Sequence, residues 1–207
     1  MNKKLLFALI LASSVTCQAS TKPMPTEVLT PENVPAVPQA LLQPIAISDQ
    51  KSATGKAELT AYVLQLEKVD EKLELVMKKQ DTLLNELDSA LTVEKKQQLR
   101  SEIMAEREKV WAGVQEEINT LSKLATNTQD KEVKAIIEYG VLHLSVKVEA
   151  WQKMVNRTID EALVSVEKDL KLKDAISTFE EKMSSTLNIL ETATDKLAEK
   201  YQVDLPE

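Results

Sequence analysis

The chain has 207 residues, 43% of them hydrophobic and 29% charged, which is enough apolar material for one folded domain. Only 3% are aromatic and only three are glycine, a poor basis for a β-sandwich or an α/β enzyme and an ordinary one for long helices. The formal net charge of −7, with no basic block, leaves little to neutralise phosphates and argues against direct binding of nucleic acid or anionic lipid.

Lys3 and Lys4 precede a short apolar run from Leu5 to Ala12, followed by small and polar residues to Ser20. This is the layout of a secretory signal peptide over residues 1–19, too short for a bilayer span, which needs about 20 apolar residues. Its brevity suggests a bacterial protein of the periplasm, the medium or the outer envelope. Cleavage after Ala19 is the favoured route and leaves a mature chain without cysteine. Lipidation at Cys17 is the other route, although Ser14-Val15-Thr16 lacks the usual leucine and glycine or alanine ahead of the cysteine. Either way no intrachain disulfide can form, and stability must come from packing.

Residues 20–56 hold six of the seven prolines, at Pro23, Pro25, Pro31, Pro35, Pro38 and Pro44. Each removes a backbone donor and pushes its predecessor out of helical space, so a flexible linker is expected. The apolar stretches Ala36 to Leu42 and Ile45 to Ile47 allow a second reading, docking on a partner or on the domain itself.

From residue 57 to residue 203 the expectation is an all-α domain, an elongated antiparallel helical bundle or coiled-coil hairpin. Leu59, Tyr62, Leu66, Val69, Leu73, Val76, Leu83, Leu87 and Ala90 recur at steps of mostly three and four, with Gln80 the polar member of the seam. Val63, Met77, Leu84 and Leu91 widen that stripe, as suits a helix with more than one neighbour. The stripe fails over Thr92 to Gln98 and resumes with Leu99, Ile103, Val110, Val114, Ile118 and Leu121.

A clear break spans Ala125 to Asp130. It offers Asn127 or Thr128 as a helix cap and places Asp130 and Glu132 near the first turn, where the helix dipole favours acid. A third run follows with Val133, Ile137, Leu144, Val148, Trp151, Val155, Ile159, Val166 and Leu170. The phase slips between Lys171 and Asp174, and a fourth run carries Leu172, Ile176, Phe179, Met183, Leu187, Leu190, Leu197 and Tyr201. If Thr92 and Lys171 mark turns, four helices form a bundle. If helices run through both points, two arms of about 70 residues, each about 105 Å long, fold at Asn127.

Chemistry-bearing residues are sparse. His143 is the one histidine, and the positions one turn away, Tyr139, Gly140, Val146 and Lys147, supply no carboxylate or second histidine for a metal. No cofactor, metal or catalytic residue is therefore expected. Glu74 with Lys78 and Glu149 with Lys153 have the spacing of surface ion pairs rather than acid/base pairs. Gly140, inside a helical run, points to close approach of a neighbouring helix. Trp151 is in phase with the core, so Trp111 and Trp151 read as packing before they read as a ligand platform.

The stretch Leu91-Thr92-Val93-Glu94-Lys95-Lys96-Gln97-Gln98-Leu99-Arg100 resembles the Leu-Thr-x-x-Gln helix start of small periplasmic helical chaperones and stress sensors. Lys95 stands where that motif has glutamine, and no second copy is present. The resemblance implies that Thr92 caps a helix and that unfolded exported chains are the clients. The leading functional expectation is an exported, non-enzymatic coiled-coil interaction or scaffold protein that meets a protein partner or itself through its helix faces. A periplasmic chaperone is the alternative.

Overall fold

The computed structural model describes residues 31–43, 53–163 and 170–205, with the side chains at 31, 77, 88, 110 and 154–176 outside that description. The expected signal peptide over residues 1–19, Cys17 and the phase slip expected at 171–174 therefore lie, in whole or in side chain, beyond it. A 3₁₀ turn at Pro31–Asn33 and a short α1, Gln39–Leu42, precede four long helices. These are α2, Ala53–Ser89; α3, Val93–Asn127; α4, Lys131–Leu163; and α5, Leu170–Tyr201. The protein is all-α, and of the two architectures open to the sequence it adopts the four-helix one. At about 1.5 Å per residue, the 37 residues of α2 make a rod about 55 Å long.

The helices alternate in direction. Lys79 pairs with Glu106 and Lys72 with Glu117, which sets α2 antiparallel to α3. The ring centroids of Trp111 and Trp151 lie 5.1 Å apart across α3 and α4, either side of the Thr128–Asp130 loop. His143 meets the Met183 carbonyl at 3.1 Å and Glu132 meets Lys200 at 2.5 Å, so α5 runs back along α4. α4 ends at Leu163 and α5 begins at Leu170, and residues 164–169 between them lie outside the described residues. α2 also packs directly on α4, and α5 on both.

The seam expected from spacing is the core. Leu59, Tyr62, Leu66, Val69, Leu73, Val76 and Leu87 of α2 are buried with Leu99, Ile103, Val114, Ile118 and Leu121 of α3. Val133, Ile137, Leu144, Val148 and Trp151 of α4 join them, with Leu187, Leu190, Leu197 and Tyr201 of α5. Each fully buried Leu, Ile or Val contributes about 1.5–3 kcal/mol, so these rows hold the bundle together without a cross-link.

Several local expectations are corrected. The stripe fails at Thr92 because the chain turns there, yet the turn is only Ala90–Thr92 and the polar residues after it form the first turns of α3. Leu91, expected to widen the α2 stripe, sits in that turn and is 98% exposed. At the second loop neither Asn127 nor Thr128 starts a helix, because α3 continues through Asn127 and Thr128 closes it, its N–H donating to the Leu124 carbonyl. Asp130 caps α4 instead: its Oδ1 accepts from the N–H groups of Glu132 and Val133 at 3.0 and 3.1 Å.

Of residues 20–56, expected to be a flexible linker, 20–30 and 44–52 lie outside the described residues, and the described part is ordered against the domain. Helix α2 already starts at Ala53, and residues 31–43 lie against α4 and α5, with Val34 buried beside Ala150, Phe179 and Met183. Tyr139 donates its hydroxyl to the Pro35 carbonyl at 3.1 Å. Ala36 to Leu42 thus docks on the domain itself, one of the outcomes open to that stretch, while Ile45 to Ile47 lies outside the described residues.

Candidate functional site

At one end of the bundle four helix termini are tied by polar side chains. Glu58 of α2 accepts from the backbone N–H groups of Gln129 and Asp130 at 2.8 and 3.0 Å. Tyr201 of α5 donates its hydroxyl to Asp130 Oδ2 at 2.5 Å, and Lys200 donates to Glu132. Gly55 makes room for this: a Cβ there would lie 2.7 Å from Asp130 Oδ2 and 2.8 Å from Tyr201 Cζ. Burial, then the bonded Asp130, raises the Tyr201 phenol above its ordinary value, so it remains a donor at neutral pH. α5 then ends in a Schellman motif, with Gln202 at φ 54° and the Val203 N–H bonded to the Ala198 carbonyl at 2.9 Å. Asp130 and Glu132 were legible as first-turn acids, whereas their partners Glu58 and Tyr201, far away in sequence, were not.

Midway along the bundle, Lys147 of α4 lies where α2 and α5 converge. Burial lowers its amine to about 8, with the carboxylates of Asp70 on α2 and Glu191 on α5 pulling the other way. Burial raises Asp70 to about 6 against the pull of Lys147, and raises Glu191 as well. These opposite charges from three helices lie in one partly dry seam, so each softens the desolvation of the others. Lys147 sits between Val146 and Val148 and one turn from Leu144, which is the only sequence sign that its charge lies near the core.

One turn earlier, His143 is 1% exposed. Its Nε2 faces the Met183 carbonyl, which can only accept, so Nε2 carries the proton and Nδ1 is left without a partner. Burial lowers the imidazole to about 4, which keeps it neutral at physiological pH. His143 is thus a core histidine. Among the described residues no group of three or more His, Cys, Asp or Glu side chains is placed to hold a metal ion.

The other residues singled out by sequence are packing residues. Trp111 and Trp151 are each 8% exposed and tilted against one another at 59°, inside the core rather than on an open platform. At Gly140 an added Cβ would overlap Tyr62 Oη and lie 3.3 Å from Tyr62 Cζ, so glycine lets α2 approach α4. Glu149 and Lys153 pair at 3.1 Å on the surface.

The apolar groups left in water are distributed unevenly. Leu42 at the end of α1 and Leu64, Leu75 and Leu142 along the long helices are exposed singly, an ordinary occurrence. Leu91, 98% exposed, stands in the α2–α3 turn and Val93, 65% exposed, is the first residue of α3, both at the end of the bundle away from the tied termini. The backbone of this junction is braced by its own hydrogen bonds. Thr92 Oγ1 accepts from the Lys95 N–H at 3.2 Å, the Thr92 carbonyl accepts from the Lys96 N–H at 3.1 Å, and Ala90 donates back to Leu87. The capping role that the Leu-Thr motif implied for Thr92 is present. Two apolar side chains on a braced turn form a compact contact element, and this is the candidate site. No helix among the described residues is long and apolar enough to cross a membrane. No protein-family model matches the chain, and neither the curated proteins nor the solved structures compared with it gave a match.

Proposed function

We propose that this is an exported, non-enzymatic helical interaction protein that meets a protein partner through the Leu91–Val93 turn. The observation that carries the reading is the exposure of Leu91, 98%, beside Val93 on a turn that Thr92 braces. An apolar pair held this way loses little entropy on insertion into a partner's groove, because its backbone is already ordered. Lys3, Lys4 and the run from Leu5 to Ala12 support export, and the acidic surface directs the reading to protein rather than nucleic acid.

The test is affinity capture from envelope extracts with the native protein and with the Leu91→Glu, Val93→Glu variant. One or two recurrent proteins should be retained by the first and lost by at least about tenfold from the second, with helicity unchanged; tenfold corresponds to about 1.4 kcal/mol. A long, varying set of unfolded exported proteins lost from the variant would make the protein a chaperone. Equal recovery by both forms would remove the turn as the contact element.

A further inference from the structure

Residues 34–38 make contacts of a kind that recurs where folded domains bind extended peptides. Pro38 has φ −61° and ψ 141°, the polyproline II conformation, and α1 begins only after it. Prolines at 35 and 38 have no N–H to offer, so the segment presents carbonyls and side chains. Both are used: the Pro35 carbonyl accepts from the Tyr139 hydroxyl, and Val34, 5% exposed, enters a pocket formed by Ala150, Phe179 and Met183. Pro35 is buried beside it, Ala36 faces water, and Val37 is half-buried against the bundle. One aromatic hydroxyl on a proline carbonyl, with apolar pockets for particular side chains, is how grooves read proline-containing segments.

The cluster that holds Val34 is separate from the main core. Val34, Ala150, Phe179 and Met183 form their own group, partly lined by Val146, whereas Val37 and Leu41, each only partly buried, rest on the edge of the main core. Lifting the segment uncovers the edge of the main core under Val37 and Leu41 and opens an apolar groove between α4 and α5 where Val34 sat, while the fully buried rows of the four long helices pack on one another. Met183 in its floor, flexible and polarisable, adapts to more than one side chain.

We propose that the groove between α4 and α5 is a binding site for an extended Val-Pro-x-Val-Pro-like segment of a partner protein, which residues Val34–Pro38 of this chain fill in cis. The site is distinct from the Leu91–Val93 turn and does not depend on it. Covalent tethering gives the chain's own segment an effective concentration in the millimolar range for a short linker. A free peptide must therefore compete, and weakening the tenant should expose the site.

A fluorescent peptide spanning Pro31 to Gln43 would be titrated by anisotropy with full-length protein, native and Val34→Asp, both monitored for helicity. Val34→Asp sets a carboxylate against the apolar pocket and should free the groove, so the peptide should bind this variant at least about tenfold more tightly than the native chain, or about 1.4 kcal/mol. The same peptide carrying aspartate at position 34 should not bind, and adding Tyr139→Phe to the variant should weaken binding of the unmodified peptide. Val34→Ser, which buries no charge, should give an intermediate gain. Equal affinity of native and variant protein would overturn the proposal, as would equal binding of the aspartate peptide. Loss of helicity in Val34→Asp would also overturn it, because the segment would then be part of the core rather than its tenant.

Discussion

The contact between Tyr62 and Gly140 allows a quantitative test of how α2 meets α4. Tyr62 is 0% exposed and its hydroxyl has no hydrogen-bond partner within the protein. Burying an unpaired hydroxyl costs about 1–3 kcal/mol in mutational series, so Tyr62→Phe should stabilise the fold by about 1 kcal/mol. Gly140→Ala alone gains about 1 kcal/mol of helix propensity. However, its Cβ overlaps Tyr62 Oη, and overpacking of this kind costs about 1–3 kcal/mol, leaving a net loss.

In the double variant the oxygen is absent. The remaining close neighbour is the ring carbon at 3.3 Å, which a shift of a few tenths of an ångström accommodates. Gly140→Ala should then be neutral or stabilising, for a coupling of about 2 kcal/mol between the two sites. Urea unfolding followed by circular dichroism at 222 nm, with the four proteins at one temperature, measures each corner of the cycle. Effects that add to within about 0.5 kcal/mol would mean that the phenol oxygen does not lie over Gly140.

Three further outcomes are expected. Asp130→Ala removes the α4 cap and the acceptor of Tyr201 together and should cost about 2 kcal/mol or more, read by the same unfolding assay, whereas a loss below about 0.5 kcal/mol would mean the tied end carries no stability. Gln202 adopts φ 54°, a region costly to side chains, so Gln202→Gly should raise stability by about 0.5–1 kcal/mol, and a decrease would contradict the left-handed terminus. His143 titrates near 6.5 when unfolded and near 4 when folded, so between those values the unfolded chain binds more protons and stability falls as pH drops. This histidine's share should reach about 3 kcal/mol by pH 4 and be absent above pH 6.5. It is measured as the difference in pH slope between the native chain and His143→Leu; parallel slopes would place the ring in water.

Much of the fold can be read from spacing alone, because a helix of this length must bury a continuous stripe. The seam from Leu59 to Leu87 and that from Leu99 to Leu121 are buried where periodicity places them, apart from Leu83, which is half-buried, and Val110, whose side chain lies outside the described residues. Periodicity says less about where helices stop. Polar residues such as Glu94 and Lys95 are compatible with both a turn and a solvated first helical turn, so the break at Thr92 read as longer than it is. The cap at Asp130 was obscured because Asn127, Thr128 and Asp130 are all good caps, and the choice depends on how far α3 continues.

Least legible were the features that depend on distant residues. Nothing near Glu58 marks it as the acceptor for the Gln129 and Asp130 amides, and nothing near Val34 marks a pocket built by Ala150, Phe179 and Met183. Proline content argues correctly that residues 34–38 form no helix, but an extended segment can lie on a surface as readily as in water. Lys147 shows the same limit. A lysine beside a stripe is ordinarily solvated through its long stem, and only the convergence of α2 and α5 on α4 draws this one inward.

The measurement that bears most directly on function is in-cell photo-cross-linking from position 91, compared with position 142, where Leu142 is half-exposed on the outer face of α4. One or two discrete adducts from position 91, absent from position 142, are expected if the braced turn inserts into a partner. No adduct from position 91, or the same adducts from both positions, would contradict the turn as the contact element.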